Sequence, residues 1–340
     1  MDGTWAVSMK ALLSIAPGGP DTLQFGELHD REPANGELRV RVLACGINYP
    51  DVLIIEDKYQ VKPQRPFAPG GEIAGIVEAI GAGVESWKLG DRVIAVIGYG
   101  GLSELAYVPA QNAVRLPEGR DPVVAAALLL TYDTALHALV DRGQLLAGET
   151  LLVLGAAGGV GLAAIEIGKA LGAVIVAAVS SDRKAEAAKA AGADRTLVYG
   201  HSPFDKAASK RLADAFKAAV GKDGAHVIFD PVGGEYAEPA LRSIAWEGRY
   251  LVVGFPAGIP KLPLNLALLK SCDIRGVFWG AFAGRKPDRE HANIERLMAW
   301  WSDGTINPRI DQTYPLVEGG KAIARLAARS AIGKVVVTMS

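Results

Sequence analysis

The sequence predicts an α/β chain in two parts, a mostly antiparallel β domain followed by a doubly wound parallel sheet with helices on both faces. Three observations carry this expectation. Apolar runs of strand length, separated by turn residues, fill the first third of the chain. From Pro122 the texture changes to Ala- and Leu-rich helical periodicity. Beyond Leu151, short apolar runs alternate with amphipathic stretches, the rhythm of parallel strands joined by helical crossovers.

In order along the chain, residues 1–8 read as a flexible extension, because strand character begins only at Met9. Runs 38–44, 73–80 and 93–97 read as strands, the last two separated by the Gly90–Asp91–Arg92 turn. Residues 123–140 have helical periodicity, with Asp141 and Arg142 at the polar end. The parallel strands are expected at 151–154, 174–179, 195–199, 226–230, 249–254 and 273–278, with helices such as 160–170, 183–191 and 205–220 between them. Helices at 291–301 and 319–329 and a strand at 334–339 close the chain and are expected to fold back onto the first domain. This reading divides the chain into 1–128, 129–278 and a returning segment, 279–340.

Composition narrows the function classes. The 340 residues are 50% hydrophobic, enough for a large core, and 36 Lys+Arg against 37 Asp+Glu give a formal net charge of −1. Such a balance offers no electrostatic case for nucleic acid or an acidic membrane, which leaves a small molecule as the expected partner. Cys45 and Cys272 are too few for a disulfide framework, and a reducing, cytoplasmic setting is expected. No apolar stretch reaches membrane-spanning length, and no signal-peptide pattern opens the sequence. The five histidines, His29, His137, His201, His226 and His291, are scattered without metal spacing and read as surface or structural residues.

The most informative segment is 151–161, LLVLGAAGGVG, in which an apolar strand breaks into small residues that open an apolar helix. Glycine at such a turn lets a phosphate approach the backbone, and the unpaired N–H groups of the helix start face it. Ala156 stands at the first glycine position of the dinucleotide-binding pattern, while Gly158 and Gly161 fill the second and third. Ala157, Gly158, Gly159 and Val160 are therefore candidate cofactor contacts. About 20 residues on, where such folds read the ribose, lies Ser180–Ser181–Asp182–Arg183–Lys184. Dinucleotide sites that read a free 2′-hydroxyl carry Asp or Glu here; Ser180 does not repel a phosphate, and Lys184 offers a cation to one. The same pair of cations can also be read as the solvated first turn of a helix, with Asp182 near its N-cap. Later strand ends, 230–234 and 248–255, lie at the carboxyl edge of the sheet, where open α/β folds bind ligands.

Five segments together resemble the zinc-free quinone oxidoreductases of the medium-chain dehydrogenase/reductase superfamily: Cys45–Gly46–Ile47–Asn48–Tyr49–Pro50–Asp51, Pro69–Gly70–Gly71–Glu72–Ile73–Ala74–Gly75, Leu89–Gly90–Asp91–Arg92–Val93, the 155–161 turn, and Gly333–Lys334–Val335–Val336. The resemblance runs from about Met9 to the C-terminus. It implies a GroES-like β domain, a Rossmann domain, an active site in the cleft between them, and NADPH as cofactor. It also implies that zinc-dependent relatives place ligands where this chain has Asn48, Gly71 and Leu130, none of them a usual zinc ligand, so no metal is expected. Hydride transfer without a Lewis acid favours a quinone or an α,β-unsaturated carbonyl over an unactivated alcohol.

By the same resemblance Asn48 and Tyr59 line the cleft and are the candidate catalytic hydrogen-bond donors, Asn48 also touching the cofactor. The alternatives are a turn cap for Asn48 and a packing aromatic for Tyr59. Asp51 reads as structural, holding backbone N–H groups at a helix start. Leu53 departs from the family, many members of which carry a Tyr there, which makes water the simpler proton source. The resemblance further implies cofactor contacts from Thr134, near the nicotinamide ribose, from Tyr199, beside the 2′-phosphate pocket, and from Val232, Gly254 and Phe255. Phe278, Trp279 and Gly280 are implied beside the carboxamide, in a strand that often pairs across a homodimer, and Arg329 and Lys334 near the diphosphate. An acyl-CoA enoyl or acryloyl reductase and a non-catalytic NADPH-binding structural or sensor protein remain the other readings.

Overall fold

The computed structural model describes residues Ser8–Met339, so residues 1–7 of the expected extension lie outside it, while Ser8 already opens a strand. The chain divides into two units, one comprising the described residues up to Leu130 together with those from Arg309 onward, the other Thr131–Pro308.

In the first unit the strands are β1 (Ser8–Leu13), β2 (Gln24–His29), β3 (Glu37–Ile47), β4 (Glu72–Ile80), β5 (Arg92–Val96), β6 (Leu105–Pro109) and β7 (Ala113–Arg115). The second unit contributes β8 (Thr150–Val153), β9 (Val174–Val179), β10 (Arg195–Val198), β11 (Ala225–Asp230), β12 (Ile244–Val252) and β13 (Asp273–Gly276), and the chain end adds β14 (Ile310–Pro315) and β15 (Lys334–Thr338) to the first.

The first unit is built around β3. Leu38, Val40 and Val42 alternate into the core, the period of two that a half-buried strand requires, and from Ala44 to Ile47 burial becomes continuous. Its sheet runs β14-β15-β3-β4-β5-β7, with β6 also paired to β3. Every pairing in it is antiparallel except β14 with β15. Ile73, Val93, Val335 and Val337 complete the core beneath it.

The second unit is a six-stranded, fully parallel sheet in the order β10-β9-β8-β11-β12-β13. Leu151, Leu152 and Val153 in central β8 are completely buried, as strands covered on both faces must be. The chain winds outward from β8 to β10, then returns to β11 on the other side. That reversal places the topological switch point between β8 and β11.

Two expectations are corrected. The 123–140 helix is three pieces, Pro122–Ala125, Leu129–Leu136 and a π-helical His137–Arg142. At the first break the Ala126 carbonyl lies against Gly46 of β3, so close that a Cβ on Gly46 would fall 1.8 Å from it. At the second, Gly143 N–H donates to the Ala138 carbonyl, an i to i−5 bond that widens the turn. The returning segment also begins later than 279. Helices Trp279–Arg285 and Pro287–Asp303 stay with the second unit, tied to it where Asn293 Nδ2 donates to Asp141 (3.2 Å) and Asn307 N–H to Glu166 (2.8 Å).

Candidate active site

The parallel sheet gathers most of the predicted cofactor residues at one edge. Residues 155–160 follow β8, Ser180 and Lys184 follow β9, Tyr199 follows β10, Val232 follows β11, Gly254 and Phe255 follow β12, and Phe278, Trp279 and Gly280 follow β13. All are therefore at the carboxyl ends of their strands.

After β8 the chain turns through Gly155 at φ +56° and enters the Gly159–Ala170 helix, whose N-cap, Gly158, supplies no side-chain hydrogen bond. Its first-turn N–H groups are thus left uncapped by any side chain. The glycines do different work. A Cβ on Gly161 would meet the Gly155 carbonyl oxygen at 2.5 Å, so Gly161 lets the helix press onto the turn, whereas a Cβ on Gly158 would meet nothing nearer than 3.5 Å. The space beside Gly158 is open, as an anion site requires.

At the end of β9 the N-cap of the next helix is Ser181, not Asp182. Lys184 Nζ donates to Ser180 Oγ at 3.1 Å, which holds the cation over the strand end. Tyr199 packs against Tyr236, ring centroids 5.0 Å apart. After β11, Asp230 shapes the turn carrying Val232: one oxygen accepts from Val232 N–H and Gly233 N–H, both at 2.8 Å, and the other from the Tyr250 hydroxyl at 2.5 Å. Burial raises the Asp230 carboxyl above its ordinary range, against these bonds. Gly233, at φ +69°, abuts Phe255, whose Cβ would lie 2.6 Å from an added Cβ, so the β11 and β12 turns sit in contact. Phe255 and Phe278 are exposed, and Trp279 and Thr134 half-buried.

In the first unit a second constellation forms, and it changes two expectations. Lys334 on β15 is buried, and its ammonium donates to Asn48 Oδ1 (2.5 Å) and Glu72 Oε2 (2.9 Å). Asn48 Nδ2 donates to the same Glu72 oxygen at 2.9 Å and to the Gly46 carbonyl at 3.2 Å. The second Glu72 oxygen accepts from Leu130 N–H at 3.0 Å. Asn48, expected to donate to a substrate oxygen, has both amide hydrogens engaged inside the protein. Lys334, expected near a diphosphate, has its charge directed to Glu72. The physical reason is desolvation: a buried carboxylate needs a cation and donors, and these two side chains supply them.

Asp51 plays the structural part expected of it. Its oxygens accept from Asn48 N–H (2.7 Å) and Gly70 N–H (3.0 Å), fixing the start of the Tyr49–Ile55 helix against the Gly70 turn. Burial raises its carboxyl to about 6 despite these bonds and the nearby Lys334 charge. Tyr59 is half-buried against the core, and burial, then the Asp51 charge, raises its phenol, so it remains a hydrogen-bond donor at neutral pH. Arg329 is exposed, at φ +55°. Among the described residues no group of His, Cys, Asp or Glu has the arrangement of a metal site.

Sequence reasoning missed Glu72 as a site residue, although a carboxylate inside the otherwise apolar GGEIAGIV run was a legible signal. It also missed Asp133, completely buried, and its neighbour Glu290, for which the sequence carries no local sign.

Removing one partner of this buried cluster leaves an uncompensated charge. Lys334→Ala should therefore lower unfolding stability by about 3–5 kcal/mol in urea denaturation, and adding Glu72→Gln should recover part of the loss. Strict additivity of the two substitutions would show that the ion pair is not the source.

Two family descriptions match the chain: an alcohol dehydrogenase GroES-like domain over 34–118 and a zinc-binding dehydrogenase over 159–299. Quinone oxidoreductase-like protein 2 of Bos taurus is 36% identical over 319 residues, 93% of this chain and 89% of that protein. Among solved structures, a mycobacterial protein complexed with NADPH superposes with a TM-score of 0.89 at 28% identity, covering 97% of this chain and 99% of that one. Escherichia coli quinone oxidoreductase complexed with NADPH gives 0.87 at 28% identity, covering 98% and 100%. With the GroES-like and Rossmann-type units in this order, the chain belongs to the quinone oxidoreductase family of the medium-chain dehydrogenase/reductase superfamily.

Proposed function

We propose that this protein is an NADPH-dependent oxidoreductase that reduces a quinone or an α,β-unsaturated carbonyl without zinc. The observation that carries the cofactor half of this reading is the sheet edge, where the uncapped helix start beside Gly158 and the Ser180–Lys184 pair flank successive strand ends. The first suits a diphosphate. The second suits a ribose 2′-phosphate, which a serine hydroxyl and an ammonium can bind and which the carboxylate of an NAD site would repel. Relatives solved with NADPH support the same choice. NADPH, when bound, supplies the hydride.

The chain's own residues then have distinct tasks. Ala157, Gly158, Gly159 and Val160 hold the diphosphate with backbone N–H groups, Ser180, Lys184 and Tyr199 take the 2′-phosphate end, and Val232, Gly254 and Phe255 line the path between. Thr134 and Phe278, Trp279 and Gly280 position the nicotinamide. Tyr59 donates a hydrogen bond to the substrate oxygen that gains charge. Asn48 is a positioning residue, its amide held by Lys334 and Glu72. Metal independence is supported by residue type: Asn48, Gly71 and Leu130 stand where zinc-dependent relatives carry ligands, and the only donor oxygen among their side chains, Asn48 Oδ1, is taken by Lys334.

A homodimer is the expected assembly. β13 is an edge strand in which Ile274 is exposed, and in the segment leading to it Ile259, Leu264, Leu268 and Leu269 are exposed as well, apolar side chains that a second copy would cover. No helix among the described residues is long and apolar enough to cross a membrane.

Three measurements test this reading. Lys184→Ala should raise the Kd for NADPH much more than that for NADH; equal weakening would remove the 2′-phosphate assignment. In a screen of quinones, enones, enals and enoyl-CoA esters, Tyr59→Phe should lower kcat/KM on the best substrate by up to about 10²–10³ while leaving NADPH affinity near wild type. Turnover of enoyl-CoA esters alone would move the substrate class, and tight NADPH binding with no turnover would overturn the enzyme. Light scattering should give the mass of two chains, reduced to one by Ile274→Lys; a single-chain mass for the native protein would refute the dimer.

A further inference from the structure

Asp133 is the one fully buried carboxylate whose two oxygens find no donor among the described residues. It lies on the Leu129–Leu136 helix and faces Glu290 of the Pro287–Asp303 helix within hydrogen-bonding reach. Two carboxylates cannot bond each other, since both only accept. Nor does any cation among the described residues pair with either of them. Arg289, next to Glu290, is bonded to Asp141, which also takes His137 Nδ1 at 2.9 Å and Asn293 Nδ2 at 3.2 Å. His137 in turn stacks on Phe282, ring centroids 3.9 Å apart. Trp279 lies against both carboxyls: its Nε1–H donates to Glu290 at 3.2 Å and opposes, without a formed bond to Asp133, the effects that raise that carboxyl. With Asp133 fully buried, Glu290 only partly exposed and no counterion between them, two like charges here cannot both ionise.

We propose that Asp133 and Glu290 share a single proton, Asp133 donating it to Glu290, and that this acid pair is a positioning element which fixes the Trp279 indole and with it the Phe278–Trp279–Gly280 segment. The proton turns Asp133 from an orphan acceptor into a donor. Glu290 then accepts from Asp133 on one side and from Trp279 on the other. Because Thr134 follows Asp133 directly, the pair braces both chain segments assigned above to the nicotinamide, and this functional consequence rests on that assignment.

A pH dependence follows with a definite sign. Burial first, then Glu290 and the charge of Asp141, push the Asp133 carboxyl up to about 9, against 3.8 for an ordinary aspartate. Between those limits the folded protein holds a proton that the unfolded chain has lost, so this group's contribution to stability falls as pH rises through the window. Near the upper limit the proton leaves and the two helices repel where they had been joined.

Infrared spectroscopy reads the proton directly. The native protein at pH 7 should show a protonated-carboxyl C=O band that shifts in D₂O, is absent from Asp133→Asn, and moves in frequency in Glu290→Gln, where the acceptor of the Asp133 proton changes from a carboxylate to an amide. Absence of the band in the native protein would overturn the pair whatever the cofactor. Trp279 fluorescence, taken as the difference from Trp279→Phe, should titrate with a midpoint near 9, and Asp133→Asn, whose amide keeps a donor toward Glu290, should be flat over the same range. In steady-state kinetics the native KM for NADPH should rise several-fold across that titration with kcat changing less. Asp133→Asn should lose the pH dependence, and Asp133→Ala should show the raised KM at every pH. An infrared band and a fluorescence titration without any change in KM would keep the acid pair and overturn its role at the nicotinamide.

Discussion

The first unit depends on one buried cation. Lys334 comes from the last strand, yet its ammonium reaches Asn48 and Glu72, 286 and 262 positions earlier in the chain. Four antiparallel pairs, Val335 to Thr338, join β15 to β3 directly after it, so the returning segment is fixed by backbone hydrogen bonds and its register by a charge. The net stabilisation of such a buried pair is small, because the cost of desolvating both ions offsets much of their attraction. Its value lies in the penalty for any other arrangement. A one-residue slip of β15 would turn Lys334 to the opposite face and strand Glu72 without a counterion.

This constraint also defines what Asn48 does. An asparagine at a helix N-cap invites a reading as a cap or as a substrate donor; Asn48 keeps the first role, in a capping box with Asp51, while the cluster engages the amide hydrogens that the second would need. Its carbonyl oxygen answers Lys334 and its amide hydrogens answer Glu72 and Gly46, while Asp51 completes the capping box by accepting from the Asn48 N–H. Glu72 reaches further still, accepting from Leu130 N–H at the start of the helix that leads into the second unit's sequence. Sequence, burial and electrostatics thus converge on a rigid polar core in a unit otherwise held by aliphatic packing.

The second unit solves a different problem. Its parallel strands all end at one edge, so each crossover deposits a turn there, and the character of each turn is set by what it must expose. Gly158 leaves space beside uncapped N–H groups, Asp230 binds its own turn's N–H groups, and Ser180 holds Lys184. The same unit contains the π-helical His137–Arg142 segment, joined to the Pro287–Asp303 helix through Asp141. An extra residue in a helical turn re-aims the side chains that follow it, and here it accompanies the stacking of His137 on Phe282 and the convergence of Asp141, Arg289 and Asn293.

The architecture was legible because it is written in local periodicity. Alternation in 38–42, continuous apolar runs at 151–153 and 174–179, and the glycine-rich turn between strand and helix specify elements through short-range sterics and burial, and the order of those elements restricts the topology. The edge candidates were legible for the same reason, since each follows a strand. What the sequence by itself determined is therefore the pair of units, the sheet edge and the residue types that line it. Tertiary structure alone decided the partners of Asn48 and Lys334, the acid pair of Asp133 and Glu290, the break at Ala126 and the point at which the chain turns back. Each of these depends on groups that are distant along the chain and meet only after folding, where loss of water changes what a charge or an amide must bond. No local pattern records which distant side chain will supply that bond.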